Sequence, residues 1–300
     1  MAFSPSNHYL LLAPVLESAG FEGMVLADHL AQPEHPRSAY PYTADGRPGW
    51  APGTSFPDVW VTAGALAAVT TALRFASSVY VAPARDLFTV AKAVATAAVL
   101  SGDRVVFGVG AGWMADEFEL TGQAFETRGA RLDEMLGVLR QLWTSEWVEH
   151  RGRHYSFPSV QISPRPARPV PVWGGGYSRA AVRRATTTMD GWVGVAPSED
   201  AGERIIGELR AGLREHGRDD VPFEIVLSLP IPITPEVAAR WARLGATGLI
   251  VRPWAGRLAD DLGGLAAAQT ADLERKMAAA RAFGAEVIGV GGDAARPALS

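Results

Sequence analysis

Three stretches of this 300-residue chain carry residue types and spacings that could do chemistry. The first is Asp28-His29, which closes the apolar run Met24-Val25-Leu26. A histidine at the end of a buried strand can give or take a proton near neutral pH. The adjacent Asp28 can orient it or cap the next segment. The plainer alternative is a histidine held by one hydrogen bond at the rim of the fold. The second stretch is Val170-Pro171-Val172-Trp173-Gly174-Gly175-Gly176-Tyr177-Ser178-Arg179, which reads as a short buried strand, three glycines and a helix start. Glycines let a ligand approach the backbone with no Cβ in the way. A helix beginning at Tyr177-Ser178 turns free N–H groups and the positive end of its dipole to the same spot. That combination suits a phosphate; the alternative is a flexible turn. The third is Gly108-Val109-Gly110-Ala111-Gly112-Trp113. Its small residues Gly110, Ala111 and Gly112 clear room for a flat ring, with Trp113 stacked on it or closing one side. The same segment also reads as a tight turn beside a core tryptophan. It lacks the third glycine of a dinucleotide fingerprint.

The remaining histidines sit less well. His8 is the second choice, just after a short first strand. His35 falls in a long loop, His150 and His154 in a hairpin, and His216 near a helix end. Cysteine is absent, which excludes disulfides, thiolate metal sites and cysteine nucleophiles. No Walker A, HExxH or GxSxG pattern occurs, and no carboxylates stand at metal-ligand spacing. A metal-free cofactor anchored by phosphate is what remains.

Strand-like and helix-like segments alternate around these motifs. Strands are expected at Glu22–Asp28, Arg74–Val81, Arg104–Val109, Val170–Trp173, Trp192–Val195, Phe223–Leu229 and Gly248–Val251. Helices are expected after each, with Asp58 capping one that runs to Thr70, Asp86 opening one that ends at Ser101-Gly102-Asp103, and an amphipathic one over Arg131–Trp143. The last is expected over Leu258–Phe283. Apolar strands in such alternation argue a parallel sheet covered by helices. An eighth strand before the first helix (Asn7–Ala19) has only Met1–Ser4 available. The count favours a single-domain (β/α)8 TIM barrel over residues 1–300 with a short or truncated first strand; a doubly wound open sheet is the alternative. Pro14 inside the first helix conflicts with that helix. Two insertions stand out: residues 31–56, rich in Pro, Gly and Tyr and expected to be a lid, and residues 146–169, a hairpin with a Pro-rich connector.

A net charge of −4 suggests neither a nucleic-acid nor a membrane-surface role. No signal-peptide pattern and no long apolar run is visible, so a cytoplasmic protein is expected.

Together these pieces resemble the bacterial luciferase-like family of flavin and deazaflavin oxidoreductases. The matching stretches run from about Leu10 to Val251. They include Leu26-Ala27-Asp28-His29-Leu30, Ser77-Ser78-Val79, Gly108-Val109-Gly110-Ala111-Gly112-Trp113 with Glu117-Phe118, Arg128-Gly129-Ala130-Arg131-Leu132-Asp133-Glu134, Gly152-Arg153-His154-Tyr155, and Trp173-Gly174-Gly175-Gly176 with Asp190-Gly191-Trp192. Their order and spacing carry the resemblance. It implies a (β/α)8 barrel with an insertion that binds FMN or the deazaflavin coenzyme F-420 at its mouth. His29 would then act as acid/base or orienter, with Asp28 as its pocket neighbour. Ser78-Val79 would form a bulge under the ring, a cis peptide in many relatives. Gly110, Ala111, Gly112 and Trp113 would line the ring, and Gly174, Gly175, Gly176, Tyr177 and Ser178 would hold the phosphate. The compact length, the Gly-Val-Gly-Ala-Gly-Trp segment and the absence of long insertions resemble the F-420 branch. The sugar-phosphate dehydrogenases of that branch carry a glutamate where Trp113 stands, a departure that puts their substrate class in doubt here. The resemblance also implies a homodimer. Three functions follow as expectations: an F-420-dependent oxidoreductase on a small organic substrate, with Tyr40 and Tyr42 folding over it; an FMN-dependent monooxygenase served by a separate reductase; or a binding protein without turnover.

Overall fold

A computed structural model describes residues 4–41, 43, 45–254 and 272–289. The expected Met1–Ser4 strand therefore falls almost wholly outside the described residues, as does the first half of the Leu258–Phe283 helix and Tyr42 in the lid.

Seven strands form one parallel sheet. They are β1 (Gly23–Leu26), β2 (Arg74–Ser77), β3 (Val105–Val109), β6 (Val172–Gly174), β7 (Gly191–Val195), β8 (Glu224–Ser228) and β9 (Gly248–Ile250), in the order β1-β2-β3-β6-β7-β8-β9. Each neighbouring pair is parallel and in continuous register, from Gly23↔Arg74 at one end to Ser228↔Ile250 at the other. The sheet curls into a nearly closed barrel, open between β9 and β1 among the described residues. The hairpin of the second insertion is β4 (Val148–Arg151) with β5 (Ser156–Val160), antiparallel and bulged between Val148 and His150.

The strands read as apolar throughout because both faces are buried. One face of the alternation points inward: Ala76, Val106, Trp173, Val193 and Val226 form an interior cluster, with Val25 and Ile250 packed on it. The other face, including Leu26, Phe75, Phe107, Val172, Trp192 and Ile225, joins the larger core under the helices.

The helices are α1 (Tyr9–Ser18), α2 (Val59–Ala67), α3 (Leu87–Ser101), α4 (Ala115–Leu120), α5 (Arg128–Thr144), α6 (Arg179–Thr188), α7 (Glu199–Glu215), α8 (Pro235–Leu244) and α9 (Leu273–Phe283). Their starts follow local cap chemistry. Asp58 accepts from the amides of Trp60 and Val61, and Asp86 from that of Thr89. α3 stops at Gly102, whose φ of 65° few other residues adopt. α2 ends at Ala67, three residues before the expected Thr70. α6 begins at Arg179, so Tyr177 precedes the helix and Ser178 is its cap, accepting from Ala181 N at 3.2 Å. Pro14 does lie inside α1. Its missing N–H would have bonded the carbonyl of Leu10, and both residues are exposed, so water can satisfy that carbonyl.

Two side chains tie strand starts to helix ends. Glu17, at the end of α1, accepts the amides of Thr71, Ala72 and Leu73 at 2.6–2.9 Å. Arg104 donates to the carbonyls of Ala67, Thr70 and Leu73.

Candidate active site

The β1 strand delivers Asp28 and His29 to the barrel mouth, and their side chains take different partners. Asp28 is buried and receives both arms of Arg85, Nη2 to Oδ1 at 2.7 Å and Nη1 to Oδ2 at 2.8 Å, together with the Val81 amide at 2.9 Å. Burial pushes the Asp28 carboxyl up from its ordinary value, with Arg85 and the Val81 amide pulling the other way. Burial also works against the Arg85 charge, but Asp28 outweighs it and the guanidinium titrates above its ordinary range. Arg85 in turn lies 4.0 Å over the Tyr80 ring. Asp28 thus fastens the segment after β2 to the end of β1 and has its oxygens committed there.

His29 pairs with Glu117 of α4 instead. Its Nδ1 lies 3.1 Å from Glu117 Oε1, and that oxygen also accepts the Leu30 amide at 2.6 Å. The Glu117 side chain is 2 % exposed. A carboxylate oxygen already accepting an amide fixes the imidazole proton on Nδ1, which leaves Nε2 as a proton acceptor. His29 is ringed by aromatics: Phe56 at 4.9 Å, Trp50 at 5.2 Å and Trp113 at 5.8 Å between centroids. Tyr40 extends the group, with its ring 5.1 Å from both Trp50 and Trp113.

The described residues of the 31–56 loop form no helix or strand, and the loop is tied down by α4. Asp116 accepts Arg37 Nε and Ser38 Oγ at 3.2 and 3.1 Å, and the Ala115 amide donates to Ser38 Oγ at 2.9 Å.

The Ser78–Val79 peptide is cis. Behind it the mouth is built on backbone bonds from Tyr80 N to Gly108 O, Gly110 N to Tyr80 O and Gly175 N to Val109 O. One glycine of each motif, Gly110 and Gly175, makes room for Val79. A Cβ on Gly110 would lie 2.6 Å from one Val79 methyl, and a Cβ on Gly175 would lie 2.4 Å from the other. Gly174 faces the helix layer, where a Cβ would meet Met189 Sδ at 2.6 Å, so strand–helix packing requires it. Gly176 has a φ of 99° and turns the chain into α6.

All the candidate site residues except Gly174 line one cavity of about 1730 Å3. Asp28, His29 and Trp113 lie on one wall, and Ser78 and Val79 with Gly110, Ala111 and Gly112 beside them. Gly175, Gly176, Tyr177 and Ser178 lie at the α6 end. The volume exceeds the roughly 300–1,000 Å3 of an ordinary ligand pocket. The cavity runs down the barrel interior to an Arg74–Glu224 pair (2.9 and 3.0 Å) at the far ends of β2 and β8. His8 lies apart from it, with Nδ1 3.3 Å from Lys276 Nζ. His150 serves the hairpin, bonded to Glu134 at 3.1 Å.

An anionic group fits the α6 end. The first turn of a helix leaves its N–H groups without intrahelical partners, and α6 is ten residues long with its dipole directed there. Arg128 and Arg184 line the cavity too, the first bonded to the Gly112 and Phe125 carbonyls and the second paired with Asp133. The loop is held in place from behind by Trp192, whose Nε1 donates to Gly176 O at 3.1 Å. No group of three or more His, Asp or Glu side chains placed to hold a metal occurs among the described residues. No described helix is long and apolar enough to cross a membrane.

Sequence reasoning missed Glu117, Arg85, Trp50, Phe56 and Trp192 as parts of this site. Glu117 and Trp192 stand in the stretches that carry the family resemblance, and Trp50 and Phe56 in the expected lid, but no local pattern gave them these roles; Arg85 had no signal.

The chain matches the luciferase-like monooxygenase family over residues 5–295 and belongs to it. It is 37% identical over 251 residues to an uncharacterized protein of Mycobacterium tuberculosis, covering 83% of this chain and 86% of the relative. It is 34% identical over 214 residues to an F-420-dependent glucose-6-phosphate dehydrogenase of Nakamurella multipartita, covering 69% of this chain and 58% of that enzyme. Its fold is that of the F-420-dependent tetrahydromethanopterin reductase of Methanopyrus kandleri, with a TM-score of 0.69 at 14% identity, covering 95% of this chain and 96% of that one.

Proposed function

We propose that this member of the luciferase-like monooxygenase family is an F-420-dependent oxidoreductase acting on a small organic substrate. The observation that carries the reading is one cavity joining a helix N-terminus suited to an anion with His29, whose Nδ1 is taken by Glu117. The names of the relatives support the deazaflavin over other cofactors. The Gly176–Ser178 amides would hold the cofactor's phosphate, and Ser78–Val79 and Gly112 would lie against its ring. Bound there, F-420 supplies hydride transfer.

The chain's own residues supply the proton and the geometry. Glu117 holds the imidazole in one tautomer, so Nε2 accepts the proton of a substrate hydroxyl or, once charged, returns it to a carbonyl oxygen. Asp28 and Arg85 hold the backbone under the ring. Trp50, Phe56 and Trp113 keep water from the reacting centre.

Titration of the purified protein with F-420 and with FMN, followed by tryptophan quenching, tests the reading. Tight binding of FMN alone would replace it with the monooxygenase reading, and tight F-420 binding without turnover across a substrate panel would reduce it to a binding protein. The proposal extends to a homodimer, supported by exposed apolar side chains on neighbouring helices such as Leu11, Val61 and Leu100. Light scattering reads that state directly.

A further inference from the structure

We infer that Trp50, Phe56, Trp113 and Tyr40 form a substrate subsite for flat, uncharged, apolar alcohols or ketones, and that this site rejects phosphorylated sugars. The inference rests on the reading that the substrate lies beside His29, and it names the class of molecule that fits there.

All four rings are partly exposed, and all line the cavity rather than closing into the core. They meet one another edge to face, with Tyr40 crossing Trp50 at 81° and Trp50 crossing Phe56 at 72°. Such a wall offers ring faces and edges to a flat apolar molecule, which gains both by burial and by aromatic geometry. The wall itself contributes no charge beyond the His29–Glu117 pair. Arg85, which holds Asp28 beside His29, has its guanidinium spent on that carboxylate and stacked over Tyr80. Glu117 adds a buried negative charge next to His29. A phosphate held against these rings would lose water and meet a carboxylate. Two further cations of the cavity lining are committed as well, Arg128 to the carbonyls of Gly112 and Phe125 and Arg184 to Asp133. The polar demand of a hydroxyl or carbonyl is small, and His29 alone meets it.

The test is binding, read separately for cofactor and substrate. Isothermal titration of the F-420-loaded protein and of the bare protein is carried out with 1-phenylethanol, acetophenone and glucose 6-phosphate. The expected result is that the two aryl compounds bind the loaded protein at least about tenfold more tightly than the sugar phosphate, a difference of about 1.4 kcal/mol. Trp50→Leu and Phe56→Leu should each weaken the aryl compounds several-fold and leave F-420 affinity unchanged, which also shows that the variants fold. Equal or tighter binding of glucose 6-phosphate overturns the inference, as does aryl binding that neither variant changes. Failure of F-420 to bind overturns the functional reading instead, and titration of the bare protein still decides the subsite.

Discussion

Nδ1 of His29 lies 3.1 Å from Oε1 of Glu117, and the same oxygen receives the Leu30 amide. One carboxylate therefore fixes both the tautomer of the imidazole and the start of the lid. His29→Ala should lower kcat by roughly 100-fold or more, the ordinary worth of a positioned acid or base, while F-420 affinity stays nearly constant. Glu117→Gln should also lower kcat, because an amide in place of the carboxylate no longer holds the imidazole in one tautomer. Unchanged turnover in His29→Ala, measured with saturating cofactor, contradicts the role given to this residue.

Val79 fills the space left by two glycines from different motifs. Gly175→Ala would bring a methyl within 2.4 Å of a Val79 methyl. Overpacking of this kind costs about 1–3 kcal/mol. Urea unfolding should show that loss in Gly175→Ala and its partial recovery in Gly175→Ala/Val79→Ala, a coupling that the double-mutant cycle isolates. Simple additivity of the two changes would mean that the contact does not constrain the mouth.

Arg85 and Asp28 form a buried pair, with side chains 10 % and 2 % exposed. Removing one partner of such a pair leaves an uncompensated charge and costs about 3–5 kcal/mol. Arg85→Ala should lose stability on that scale in urea unfolding, whereas Asp28→Asn/Arg85→Met should lose less. A near-neutral Arg85→Ala would show that solvent already reaches Asp28.

Much of this architecture is readable from the chain because its determinants are local. The seven strands show as apolar runs, and Asp58, Asp86, Ser178 and Ser198 cap helices through amides two or three residues away. Asp28 and His29 are visible as the end of a strand, but their partners are not. Glu117 is 88 positions from His29, and Arg85 is 57 from Asp28. No local pattern says which of two adjacent polar side chains meets which distant partner. The glycines mislead for the same reason: they look like room for a ligand, yet Gly110 and Gly175 give most of that room to Val79 and Gly174 gives it to Met189. The aromatic residues of the 31–56 loop lack any period, so only the folded chain brings Trp50 and Phe56 onto His29.

Glu17 gives the fold a pH dependence of known sign. Burial works against its charge, but the amides of Ala72, Leu73 and Thr71 outweigh burial and hold the carboxyl below its ordinary value of 4.5. A carboxyl depressed in the folded state stabilises fully above the unfolded value and loses that contribution as pH falls through the folded one. The stability difference between the native chain and Glu17→Gln should be largest near neutral pH and shrink in acid below 4.5. A difference that stays constant down to pH 3 or so would assign the effect to packing rather than to charge.

On the proposed function, the cavity between His29 and the start of α6 holds a deazaflavin by its phosphate. Equilibrium titration of the purified protein with F-420, repeated with FMN and with the Trp192→Phe variant, tests it most directly. The account predicts saturable F-420 binding, weaker FMN binding, and a several-fold loss of F-420 affinity when the Trp192 bond to Gly176 is removed. Absence of F-420 binding, or F-420 binding that Trp192→Phe leaves untouched while FMN binds more tightly, would contradict it.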